Sequence, residues 1–156
     1  MQFLVYFVGI LFFFSHALKA ESLNHFKTDY CTGYVEGTRQ KPDLWKHCCV
    51  EHDLYFWAGG SKKDRSKSDE RLKTCVSSTG QKMHAELIFL GVYFGGLSPF
   101  KIRGKQWGNG WKSRPSYEKL TELETFDIIH FLETSDLNLD EKLKLSFINQ
   151  LKSRLD

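Results

Sequence analysis

Residues Cys48 to Asp53 read Cys-Cys-Val-Glu-His-Asp. A histidine exchanges a proton near neutral pH, and the aspartate beside it can hold a hard cation or accept a second proton. Two adjacent cysteines can staple the same segment at two points. Together these residue types point to metal-assisted hydrolysis, in which histidine activates water and a carboxylate helps to place the cation. The bland alternatives are a surface His-Asp pair, or a Cys-Cys-x-x-His cluster that binds zinc with Cys31 or Cys75. The elements that would position these residues separate the readings.

Leu44, Trp45, Cys48, Cys49, His52 and Phe56 recur at helical spacing. Pro42 and Asp43 suit the first turn of that helix, and Gly59-Gly60 ends it. A second helix is expected from Ser61 or Asp64, which stand at capping-box spacing, to about Ser77, with Thr79-Gly80 as the break. A third, apolar helix runs from Lys82 to Phe94 and stops at Gly95-Gly96. Pro99 to Ser116 reads as loop, with Trp107-Gly108-Asn109-Gly110-Trp111 at its centre. Tyr117–Thr134 and Leu137–Leu155 read as two amphipathic helices. There are no repeats, and no strand signal beyond a short hairpin. The expected fold class is mainly α, with two antiparallel helices joined by a Gly-Gly turn and additional C-terminal helices.

Phe3 to Phe14 is an apolar run of signal-peptide length, too short to span a bilayer. Residues 1–20 are accordingly read as a signal peptide, with small residues for cleavage near Ala17 or Ala20. No Lys or Arg precedes the run, so an uncleaved anchor is the rival reading. Residues 21–156 have the size of a single domain, with a core over about 30–116 and a C-terminal helical extension over 117–156. All four cysteines lie in that part, and an even number in an exported chain suggests two disulfides and a secreted or periplasmic location. A net charge of +3 excludes a strong general pull toward nucleic acid. The basic clusters at Lys62–Arg65 and Lys101–Arg114 are solvated faces or surfaces for anionic phospholipid headgroups.

If Cys48 bonds Cys75, the first two helices acquire a register. Asp69 then falls opposite residue 54, about 3 Å along the axis from His52, whereas Asp64 lies about 10 Å away. Asp69 is the better partner for His52, with Glu70 as its neighbouring competitor. A carboxylate on one imidazole nitrogen fixes the tautomer and leaves the other free to take a proton from water. Asp53 points about 100° away from His52 around the helix, toward the glycine-containing loop that precedes it. A Cys31–Cys49 bond would pin that loop nearby. Loop carbonyls and one carboxylate form a hard oxygen set of the kind calcium prefers.

Cys-Cys-x-x-His-Asp on a helix, after a loop with Tyr-Cys-x-Gly, resembles the active-site helix of the secreted phospholipase A2 superfamily. The bacterial branch is the nearer likeness, through Trp-x-x-Cys-Cys, Gly-Gly, Asp-Arg and a later Trp-Gly-x-Gly-Trp. The resemblance covers Tyr30 to about Ser78. It implies a phospholipase A2-like core, the disulfides Cys48–Cys75 and Cys31–Cys49, His52 as general base and Asp69 as its orienting partner. It further implies Asp53 as the calcium carboxylate, with backbone carbonyls near Tyr30, Thr32 and Tyr34 completing a Ca2+ site. The chain departs from the family in three places. Its Thr32–Gly37 loop has fewer glycines, its Cys31 to Cys-Cys spacing is slightly long, and Phe56 stands where a tyrosine is common.

Trp107, Trp111 and Phe100 read either as core plugs or, with Lys105, as an interfacial rim for a phospholipid membrane. Phe56, Trp57 and Leu87–Leu90 are core or the walls of an acyl channel. The functional expectation is an exported, calcium-dependent hydrolase that releases a fatty acid from glycerophospholipids. The rivals are a non-catalytic lipid- or protein-binding module on the same scaffold, and a structural or toxin-like protein that makes contacts through its C-terminal helices.

Overall fold

The computed structural model describes residues 23–97 and 106–153. Within them the chain forms five helices: α1 (Lys46–Ala58), α2 (Lys62–Ser78), α3 (Lys82–Leu97), α4 (Glu122–Thr134) and α5 (Glu141–Lys152). Strand structure among the described residues is one isolated bridge, Leu23 to Trp111. The expected signal peptide and Lys105 lie outside the described residues.

α1 starts later than its sequence suggests. Pro42 to Trp45 form turns closed by bonds across three residues, Leu44 N–H to the Lys41 carbonyl and Lys46 N–H to that of Asp43. The indole of Trp45 donates to the Val35 carbonyl at 2.7 Å, and its side chain is wholly buried. Burial of this one ring places the start of the helix, in the absence of a side-chain cap. α2 begins as expected, at Ser61, where both halves of the capping box with Asp64 are formed. α3 runs on through Gly95-Gly96 to Leu97, because glycine weakens a helix interior without forbidding it. Tyr117 to Leu120 are not helical. α4 waits for its own capping box, Thr121 with Glu124, and α5 for the Asp140 side chain, which accepts from Leu143 N–H.

Two disulfides, Cys31–Cys49 and Cys48–Cys75, consume every described cysteine. Thiolate ligands for zinc are therefore unavailable. His47 is exposed, and its Nε2 lies 3.4 Å from Cys48 Sγ and 3.5 Å from Cys75 Sγ. Both sulfurs are spent in one bond, and that pairing points to an oxidising compartment. It also draws the far ends of α1 and α2 together, opposite the Gly59-Gly60 turn, so the two helices run antiparallel.

Burial is divided between two clusters. One surrounds the disulfides and holds Trp45, Leu72, Val76, Ala85 and Ile88. The larger one packs Leu54, Tyr55, Trp57 and Ala58 of α1 against Ile128, Ile129 and Leu132 of α4 and Phe147, Ile148 and Leu151 of α5. The C-terminal helices thus cover one side of α1. The Tyr55 hydroxyl, turned to that side, donates to Gln150 Oε1.

Trp107 and Trp111 belong to the same cluster and are 4% and 5% exposed, so they form no interfacial rim. The reason is a hydrogen-bond shortage at the end of α1, where the last carbonyls of any helix lack intrahelical partners. Trp107 Nε1 donates to the Gly60 carbonyl and Trp111 Nε1 to that of Ala58, each at 2.7 Å. Gly108 N–H takes the Phe56 carbonyl at 2.7 Å, and Gly110 N–H that of Trp57 at 3.0 Å. Close approach explains Gly110, where a Cβ would lie 2.6 Å from the Trp57 carbonyl oxygen, and a φ of 79° suits glycine at 108. Trp-Gly-Asn-Gly-Trp is therefore a cap built from distant chain.

Candidate functional site

His52 and Asp69 face each other across α1 and α2, with His52 Nε2 2.8 Å from Asp69 Oδ1. Both are buried, at 8% and 6% exposure. An ionised carboxylate only accepts, so Nε2 carries the proton and Nδ1 holds a free lone pair. The register expected from the Cys48–Cys75 staple is the register found. Glu70, the competitor, is exposed. The face of the imidazole lies against Phe56, with ring centroids 4.7 Å apart.

The second oxygen of Asp69 faces Arg65, one turn earlier on α2, at 3.9 Å from Nε. Arg65 spreads over Phe56, its guanidinium carbon 5.0 Å from the ring centroid. Its remaining nitrogens donate to the Tyr117 hydroxyl at 2.8 Å and to the Val92 carbonyl at 3.3 Å. The sequence marks this arginine only as part of the Asp-Arg pair and of a basic cluster, with no role attached. The available signal was its position four residues before Asp69, where a helix brings opposite charges together.

Asp53 is turned toward the loop, as expected from the helical wheel. Its Oδ2 accepts from the Thr28 hydroxyl at 2.5 Å, and the same hydroxyl accepts Tyr30 N–H at 3.0 Å. Burial pushes the Asp53 carboxyl up from 3.8 to about 6; the Thr28 bond and the nearby His52 oppose the shift, and the Asp29 carboxylate adds to it. Thr28 and Asp29 escaped the sequence reading. Their signal is weak, a threonine two residues before a turn, where its hydroxyl can bond the chain ahead.

Of the carbonyls expected near the cation, that of Tyr30 accepts Thr32 N–H at 3.0 Å, inside the loop itself. Tyr30 sits at φ 61, in the left-handed region that glycine occupies easily and a residue with a Cβ does not. A loop with few glycines must place a side chain there. Thr32 is exposed, and its hydroxyl donates to Asp29 Oδ1 at 2.7 Å. Tyr34 turns its hydroxyl away to His84 Nδ1, at 2.7 Å.

His52, Asp53, Arg65 and the loop around Tyr30 line one cavity of about 690 Å³. His52, Asp53, Asp29, Arg65 and Lys27 supply its polar part, and Leu72, Leu87, Ile88 and Val92 its apolar wall. Phe56 and Trp107 also border it, whereas Trp57 is buried in the core away from it. Leu90 points to solvent. The arrangement can bind an apolar chain beside a group that accepts a proton.

No family model, curated protein or solved structure matches this chain.

Proposed function

We propose that this chain is an exported hydrolase of phospholipase A2 type, which releases a fatty acid from a glycerophospholipid. The observation that carries this reading is the buried His52 Nε2–Asp69 Oδ1 bond, set in a cavity with an apolar wall. Asp69 holds the imidazole with its proton on Nε2, so Nδ1 can take a proton from water as that water attacks an ester carbonyl. The protonated imidazole then returns a proton to the departing alcohol. Leu72, Leu87, Ile88 and Val92 are suited to an acyl chain, and Lys27 at the cavity edge to a phosphate.

A calcium ion fits the chemistry of the donors. Asp53 and Asp29 both border the cavity, and their mutual repulsion contributes to the raised Asp53 carboxyl. A hard cation would relieve that repulsion, held by Asp53 with Asp29 and carbonyls of the Tyr30–Tyr34 loop as further oxygens. When bound, calcium would stabilise negative charge on the carbonyl oxygen of the ester.

One observation favours a second reading, a binding module without catalysis. Thr28 already occupies one Asp53 oxygen, and the Tyr30 carbonyl is turned to Thr32 N–H. Fatty-acid release from mixed phospholipid vesicles, with and without a calcium chelator, decides between the two. The hydrolase reading requires release that chelator abolishes and that His52→Gln removes while the fold is retained. Vesicle binding without release, at any calcium concentration, would sink it in favour of the binding module.

A further inference from the structure

We propose that Arg65 and Tyr117 form a positioning pair that holds Asp69, and through it the His52 ring, in its working orientation; the catalytic part of this inference rests on the hydrolase reading above. A carboxylate bonded on one side only can swing about its terminal torsion, which is broad and poorly restrained. In Asp69 one oxygen is hydrogen-bonded to His52 at 2.8 Å, and the other lies 3.9 Å from Arg65 Nε, an ion-pair distance.

Arg65 is itself immobilised from four directions. Asp69 of α2 faces Nε, Tyr117 and the α3 carbonyl of Val92 accept from the two terminal nitrogens, and the Phe56 ring of α1 supports the guanidinium plane. Its side chain is only 13% exposed. Each terminal nitrogen gives one N–H to a protein oxygen, and Nε faces Asp69, so Arg65 is tied to the frame of the site while it borders the cavity.

Tyr117 supports the same conclusion by a different route. It stands at φ 69, a left-handed conformation that residues with a Cβ rarely adopt. The strained residue directs its hydroxyl to Arg65 Nη1 at 2.8 Å. Arg114 helps to fix the following segment, donating to the Glu118 carbonyl at 2.8 Å and to Glu124 Oε1 at 2.6 Å. Tyr55 of α1 uses its hydroxyl on Gln150 and so gives none to Asp69. An arginine from within α2, braced by a tyrosine from beyond α3, fills that place.

The test uses the full chain and its Arg65→Lys, Arg65→Met and Tyr117→Phe variants. The first readout is the low-field proton NMR signal of the His52 Nε2–H, assigned by its disappearance in His52→Gln. That signal reports the bond to Asp69 whether or not the protein turns over any substrate. Arg65→Met should broaden or lose it while near-UV circular dichroism stays native, Arg65→Lys should restore it in part, and Tyr117→Phe should weaken it. The second readout is fatty-acid release, where Arg65→Met should lower kcat by roughly 10- to 100-fold, with KM changed much less. An intact low-field signal with unchanged kcat in folded Arg65→Met overturns the proposal. A rise in KM alone assigns Arg65 to substrate instead, and equally overturns it. Should Arg65→Met fail to fold, Arg65→Lys and Tyr117→Phe carry the same comparison. If wild-type protein releases no fatty acid, the hydrolase reading fails, and the NMR signal still decides whether Arg65 and Tyr117 orient Asp69.

Discussion

The imidazole of His52 and the carboxylate of Asp69 meet across seventeen positions of sequence, in a place where neither is easily solvated. Removing one partner leaves the other buried and underused, so Asp69→Asn and Asp69→Ala should differ. The amide can still accept from Nε2–H in a correctly turned rotamer, whereas alanine cannot. Fatty-acid release should fall by at least about tenfold in both, with Asp69→Ala the less stable protein in urea titration. Asp53 makes a different prediction, about pH. Its carboxyl is raised in the folded state to about 6, so folding favours the protonated form. The stability tied to it is therefore full below the ordinary value of 3.8 and is lost as pH rises through about 6. Calcium-free wild type should lose stability over that window relative to Asp53→Asn, which lacks the titration. Identical pH profiles of the two proteins in chemical denaturation would refute this assignment. By the same linkage, calcium affinity should rise as pH passes upward through about 6, since the cation competes with the proton.

Helix ends were the least legible elements. The Ser61–Asp64 box was readable because both halves lie within four residues and fix each other's backbone. Thr121 and Glu124 have the same spacing, yet the apolar period starts at Tyr117 and extends the expected helix beyond this cap. At the end of α1 the difficulty was of another kind. Its carbonyls are capped by residues about fifty positions away, and no local pattern announces that. Replacing Gly110 by alanine should therefore act as a core substitution although it adds only one methyl group. The new Cβ would collide with the Trp57 backbone, and we expect a loss of about 2 kcal/mol or more in equilibrium unfolding. Alanine at Gly80, where a Cβ meets nothing within 4 Å, should cost less, the strain of its φ of 86° alone. Equal effects at the two positions would show that the Trp-Gly-Asn-Gly-Trp segment does not dock as described.

Across the whole molecule, the disulfides and the C-terminal helices hold α1 from opposite sides. Cys48–Cys75 closes a sequence separation of 27 residues and sets the register in which His52 finds Asp69. Replacing both cysteines by alanine should cost about 3–4 kcal/mol through the entropy of the unfolded chain. Fatty-acid release should fall more than the folded fraction does, because register is lost along with stability. The helices after residue 121 bury Ile128, Leu132, Phe147 and Leu151 against α1, which leaves those side chains unavailable to a partner. Among the described residues the exposed large apolar side chains of α4 and α5 are Leu123, Phe126 and Leu145, so a contact role through these helices would fall to those three.

Residue types and short spacings alone determined the mainly helical character, the α1–turn–α2 hairpin and the choice of Asp69 over Asp64. The first two follow from local quantities, helical rise and cap chemistry, and the third adds one assumed staple across 27 residues. Tertiary structure alone decided the rest. Trp107 and Trp111 became core because α1 needed donors for its last carbonyls, a demand invisible at their own positions. Arg65 became the neighbour of Asp69, and Thr28 of Asp53, because buried charge must be met by whatever group the packing brings within reach. Spacing along the chain can propose partners, but only the folded chain determines which polar groups are left to satisfy one another.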